Sequence, residues 1–128
     1  MKGVYCLVIF LDKGWKIKIG RKYLQFKKGY YCYVGSALNS LEKRIERHKR
    51  KAKKKFWHID YFLKYGKIID AVIIKTHKKI ECRLAEKVKR LSDQVIAGFG
   101  SSDCNCEGHL FYFGDVKKID SIYEIKIK

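Results

Sequence analysis

Gly3–Leu11 reads GVYCLVIFL, and both of its alternating faces are apolar. A strand that is hydrophobic on both sides must be covered on both sides, which puts it inside a sheet with layers packed above and below. Moving outward, Asp12-Lys13-Gly14 is a turn signal. Trp15–Ile19 then alternates Trp, Lys, Ile, Lys, Ile, the pattern of a half-buried strand. Residues 20–29, GRKYLQFKKG, read as strand and turn, and Gly29–Gly35, GYYCYVG, as an aromatic strand closed by glycine. The first third is thus expected to be a small antiparallel sheet built from hairpins.

Helical signals follow. Asn39 and Glu42 stand three apart before a periodic run and have the form of a capping box, predicting a helix from Ser40 to about Lys54. Trp57–Tyr65, WHIDYFLKY, reads as a second, short helix ended at Gly66. Ile68–Lys75, IIDAVIIK, is rich in β-branched residues and reads as a buried strand. Lys79–Leu91 is a helix with Ile80, Leu84, Val88 and Leu91 along one stripe. Gly98–Cys106 is a glycine- and serine-rich loop, and His109–Phe113 and Ile122–Ile127 are further strand candidates. No repeat is present. The order of elements argues an α+β fold, a small mainly antiparallel β-sheet flanked by helices, with residues 1–128 as a single domain.

The charge balance narrows the partners. Lys plus Arg total 30 against 13 acids, for a formal charge of +17. Folding does not need that excess and is opposed by its self-repulsion, so a polyanionic partner is expected. Nucleic acid comes ahead of an anionic membrane surface, and a plain solubility role is the bland reading. No stretch is long and apolar enough to span a bilayer. Five cysteines, an odd number scattered through apolar segments, suit a reducing cytoplasm better than a disulfide framework.

Candidate chemistry is read from position on the helices. At about 100° per residue, Arg44 and His48 fall on one side of the apolar pair Leu41 and Ile45 and border the buried stripe, whereas Lys43, Arg47 and Lys54 point away. On the later helix, Glu81 lies about 100° from Ile80, at the stripe's edge, while Glu86, at about 240°, faces solvent. A carboxylate at the edge of a core is a candidate ligand for a hard divalent cation, and a plain ion pair with Arg83 or Lys87 is the simpler alternative. Gly3-Val4-Tyr5 and Tyr33-Val34-Gly35 are aromatic–glycine triplets on candidate strands.

Two tyrosine–glycine triplets, then Arg44 and His48 one turn apart, then Glu81 on a later helix, resemble in that order the GIY-YIG nuclease superfamily. YVGSAL, RIERH, WHIDY, EC and GFGSSDC resemble more closely its small Uri-type branch, with the match running from Gly3 to about Phe113. The resemblance implies a metal-dependent endonuclease that hydrolyses phosphodiester bonds. Tyr5 would activate the attacking water as general base or through the metal. Tyr33 would assist and contact the phosphate, Arg44 would face the developing charge, and Glu81 would hold one Mg²⁺ or Mn²⁺. His48 matches a histidine one turn after the arginine in some members, and His58 a second histidine further on. A nearby metal and Arg44 would favour the phenolate of Tyr5. This sequence departs from the family in two places. The Tyr5–Tyr33 gap is longer, so an extra hairpin must be accommodated, and GFGSSDC stands where a closing asparagine is expected.

Three further features have competing readings. Arg47–Lys55, RHKRKAKKK, supplies Arg47, Arg50, Lys51, Lys53, Lys54 and Lys55 as candidate nucleic-acid contacts, to backbone and without strong sequence preference, DNA ahead of RNA; a solvated helix end is the plain alternative. His58 and Asp60 could form an oriented imidazole–carboxylate pair or a structural bond. Cys104, Cys106 and His109 form C-x-C-x₂-H, a possible structural Zn²⁺ site if His58, His77 or Cys82 completes it, with buried thiols favoured over metal. Ser101, Ser102 and the glycines could instead cradle a phosphate. The rivals to a nuclease are a non-catalytic nucleic-acid-binding module of the same fold and a zinc-stabilised interaction protein.

Overall fold

Gly3–Leu11 (β1) lies between two antiparallel neighbours, Lys67–Lys75 (β5) and Gly29–Ala37 (β4). This computed structural model describes residues 2–37, 39–50, 53–55, 57–100 and 107–125. Beyond β4 come Leu110–Phe113 (β7) and Gln94–Ile96 (β6), giving one antiparallel sheet in the order β5-β1-β4-β7-β6. The fold is α+β, as the order of elements predicts. Leu41–Lys49 (α1), His58–Phe62 (α2) and Glu81–Leu91 (α3) are the expected helices. No helix among the described residues is long and apolar enough to cross a membrane.

Both faces of β1 are covered, and they are covered differently. Tyr5, Leu7, Ile9 and Leu11 pack with Tyr31 and Tyr33 of β4, Leu41 and Ile45 of α1, and Ile59 and Phe62 of α2. The alternate residues Val4, Cys6 and Val8 pack with Cys32 and Val34, then with Leu84, Ala85 and Val88 of α3. Each Val, Leu, Ile or Phe among them taken fully from water contributes roughly 1.5–3 kcal/mol.

Several expectations change. Trp15–Ile19 (β2) and Lys22–Phe26 (β3) form a separate two-stranded ribbon and do not extend the main sheet, so β1 pairs directly with β4 across the insertion. β4 runs past Gly35 to Ala37. β5 is an edge strand, largely open to solvent despite its β-branched residues, and Ile69 and Ile73 stay exposed. Helix α1 is capped by Ser40, whose side chain accepts from the Lys43 N–H, and not by Asn39. It also stops at Lys49, five residues early, where Lys53 Nζ donates to the Arg47 and His48 carbonyls at 3.1 and 2.8 Å and closes its last turn. Ile122–Ile127 is not a strand where it is described: a short helix, Val116–Ile119 (α4), runs into a 3₁₀ turn, Asp120–Glu124, that buries Ile119 and Ile122 against α3's face of the sheet.

Candidate active site

The register of β1 on β4 sets the site. Tyr5 stands opposite Gly35 and Leu7 opposite Tyr33, so both phenols rise from the same face of the sheet. The Tyr5 ring lies across Gly35, where a Cβ would come within 2.5 Å of Tyr5 Cζ. The glycine of the second triplet is therefore the space the first tyrosine occupies. Gly3 serves the same end at the strand's start: a Cβ there would meet Leu41 Cδ1 at 2.7 Å and the Ile74 carbonyl. α1 and β5 can thus approach β1 closely.

α1 then delivers two polar side chains over the tyrosines. His48 is buried and its Nε2 lies 2.7 Å from Tyr5 Oη. Its Nδ1 has no hydrogen-bond partner among the described residues. Burial, then the nearby Lys53 ammonium, drives the imidazole's pKa down to about 4, with Asp60 opposing, so His48 is neutral at pH 7. Burial likewise pushes Tyr5 well above the usual phenol range, and the Arg44 guanidinium only partly offsets it. The chain by itself thus keeps Tyr5 protonated; the expected balance, with Arg44 favouring phenolate, is reversed by desolvation. Tyr33 is raised in the same direction, first by burial and then by Tyr5.

Arg44 donates from Nη1 to the Ser36 carbonyl at 3.0 Å and lies over the Trp57 ring, 4.6 Å from its centroid. Glu81 is the first residue of α3, where a carboxylate also suits the helix dipole. It arrives from the helix covering the opposite face of the sheet. His109 Nδ1, buried, lies 3.2 Å from Glu81 Oε2. Tyr5, Tyr33, Arg44, His48 and Glu81 all line one concavity of about 180 Å³, together with Trp57, Gly100 and His109. The five residues singled out from the sequence for strands, helix face and stripe edge therefore meet in one place.

Other candidates go elsewhere. Arg47 does not point away from the core: it makes a two-pronged ion pair with buried Asp60, at 2.9 and 3.0 Å, and lies 4.3 Å over Trp57. Asp60 turns to Arg47 and to the Trp57 N–H, and Lys53 caps α1. Both cations are occupied inside the fold, while Arg50, Lys54 and Lys55 are exposed and Lys51 lies outside the described residues. His58 accepts from the Gly100 N–H at 3.2 Å and packs on Phe99. It borders a neighbouring cavity and is not among the residues lining the Tyr5 pocket. Ser101, Ser102, Cys104 and Cys106 lie outside the described residues. Cys6 and Cys32 are buried free thiols, and Cys82 is exposed.

Two site residues were missed. Trp57 was read only as the start of a helix, though a tryptophan beside Arg44 and Arg47 offers them an aromatic face. His109 stands in the sequence as the start of a strand and as one member of a disfavoured zinc cluster, and only the fold brings it to Glu81.

Fold and pocket together define an α+β chain whose tyrosine-lined concavity holds one guanidinium and one carboxylate. Over residues 4–128 the chain matches the family described as Domain of unknown function DUF123, and it belongs to that family. No curated protein and no solved structure matches it.

Proposed function

We propose that the chain is a metal-dependent endonuclease of the GIY-YIG type, nearest the Uri-type branch, cutting phosphodiester bonds in nucleic acid, with DNA ahead of RNA. The observation that carries the reading is the convergence of Tyr5, Tyr33, Arg44, His48 and Glu81 on one concavity. They come from four separate elements.

The donor set fits a hard, hydrated cation. Glu81 is a half-buried carboxylate with one oxygen engaged by His109, and among the described residues no group of three His, Cys, Asp or Glu side chains forms a cage. A Mg²⁺ or Mn²⁺ held through Glu81 would keep most of its waters, and once bound would supply Lewis-acid polarisation of the phosphate. The rest falls to the chain. Arg44, held by Ser36 and Trp57, faces the charge that develops on the phosphate. Tyr33 donates to a phosphate oxygen. Tyr5 takes a proton from the attacking water while passing its own to His48 Nε2, so no free phenolate has to exist in the buried site. This relay uses the tautomer with the proton on Nδ1. The water oxygen bonds to phosphorus as the bond to the leaving sugar oxygen breaks; that oxygen takes a proton from solvent, and His48, which the buried site favours as neutral, gives its added proton up to solvent.

The buried, protonated phenols favour one second reading, a binding module that turns nothing over. Nicking of supercoiled plasmid and cutting of branched and single-stranded DNA, with Mg²⁺ or Mn²⁺, separate the two. Cutting by the wild type that is lost in Glu81→Ala, with nucleic-acid affinity kept, supports the nuclease; binding without any cutting supports the module.

A further inference from the structure

The ribbon inserted between the two tyrosine strands has an outer face that core packing does not explain. Its inner face does: Ile17, Ile19 and Phe26 are buried, Phe26 packs on Phe62 of α2 and Trp15 on Tyr65, with ring centroids 5.0 and 4.8 Å apart. Those contacts seat the ribbon on the same face of the sheet that carries the pocket. Outward stand Lys16, Lys18, Tyr23 and Gln25, all exposed, with Arg21 and Lys22 at the tip. From Lys13 to Lys28 there are seven cations and no acid. A cover for the core would serve as well with mixed charge, and like charge gathered on one small ribbon costs self-repulsion.

At the tip lies a cavity of about 340 Å³, within the size range of small-molecule sites. Ile19, Leu24 and Phe99 give it apolar walls, and Arg21, Lys22 and His58 stand at its edge. It adjoins the cleavage pocket through consecutive residues: Trp57 lines one and His58 the other, Gly100 one and Phe99 the other. A flat apolar ring attached to a phosphate backbone matches that chemistry, and the seven cations of the ribbon suit a ligand that carries more than one phosphate. We propose that the β2–β3 ribbon is a nucleic-acid-binding surface, its Arg21 and Lys22 gripping the backbone beside the cut and its tip cavity taking one unstacked base of the substrate strand. The proposal rests on the nuclease reading and adds to it where, and in what form, the flanking strand is held.

The test is fluorescence anisotropy of a labelled single-stranded oligonucleotide and a blunt duplex of the same sequence, over a salt series with EDTA present to prevent cutting. The substituted residues are exposed, and unchanged thermal melting checks that the fold is kept. Arg21→Ala with Lys22→Ala should weaken single-strand binding about tenfold and flatten the slope of log K against log salt by about 1.4, the loss of two phosphate contacts. Ala97→Phe, which fills the cavity from an exposed wall position, should weaken single-strand binding about fivefold or more and leave the blunt duplex unchanged. If the wild type binds and both variants match it in affinity and salt slope, the ribbon has no such role although the nuclease reading stands. A wild type that binds neither oligonucleotide removes both.

Discussion

The two faces of the central sheet are built from alternate residues of the same strands, yet they do different work. On one face Val4, Cys6, Val8, Cys32 and Val34 meet Leu84, Ala85 and Val88 with no buried charge among them. On the other, Tyr5, Tyr31 and Tyr33 share their layer with buried His48 and Asp60. Burying a polar group is costly unless it is partnered, and here the partners are explicit: Tyr5 with His48, and Asp60 with Arg47. A face committed to plain packing can hold the fold while its opposite carries polar groups at some cost. Glu81 links the two, since the helix that seals the apolar face ends, at its first residue, in the pocket.

That division can be broken from either side. The largest effect is expected from Arg44→Ala, which should lower the cutting rate about a thousandfold, roughly 4 kcal/mol of transition-state stabilisation, with thermal melting nearly unchanged; plasmid nicking beside a melting curve reads both. Next, Leu84→Ala, on the apolar face, should cost about 3 kcal/mol of folding stability in urea denaturation while the protein still folded cuts normally. A cutting defect equal to that of Arg44→Ala would end the separation of the faces. Tyr5→Phe keeps the ring over Gly35 but loses the hydroxyl, and should slow cutting about a hundredfold with the fold retained. The smallest expected effect comes from acid. His48 has a folded pKa of about 4 against an unfolded value near 6.5. Between these the unfolded chain binds the proton and the folded chain does not, so stability falls as pH drops through that window. The contribution is about 2 kcal/mol between pH 6.5 and about pH 5. His48→Gln should flatten this part of the pH dependence in urea titrations; parallel curves would show that His48 does not titrate as described.

Legibility followed the periodicity of burial. GVYCLVIFL announced an internal strand because both its faces are apolar. The 3.6-residue repeat was enough to choose Glu81 over Glu86 and to bring Arg44 and His48 to one side. Edges were harder. IIDAVIIK has the composition of a buried strand, but burial depends on neighbours, and among the described residues no strand pairs with β5 on its outer side. The run after Arg47 looked helical because lysine and arginine are good helix formers, yet Lys53 folds back on the last carbonyls and ends α1. Helical periodicity alone turns Arg47 outward because its partner, Asp60, lies thirteen residues on in another helix. Trp57 and His109 were invisible as site residues for the same reason: only tertiary packing brings them to Arg44 and Glu81.

The central claim is that the concavity shared by Tyr5, Arg44 and Glu81 is where a cation and a phosphate meet. Anomalous diffraction from crystals soaked in Mn²⁺ tests it most directly. The account predicts a single strong peak within about 2.2 Å of a Glu81 carboxylate oxygen, on the side facing the two tyrosines. A fully occupied Mn²⁺ elsewhere on the chain, with none at Glu81 under conditions that support cutting, would contradict it.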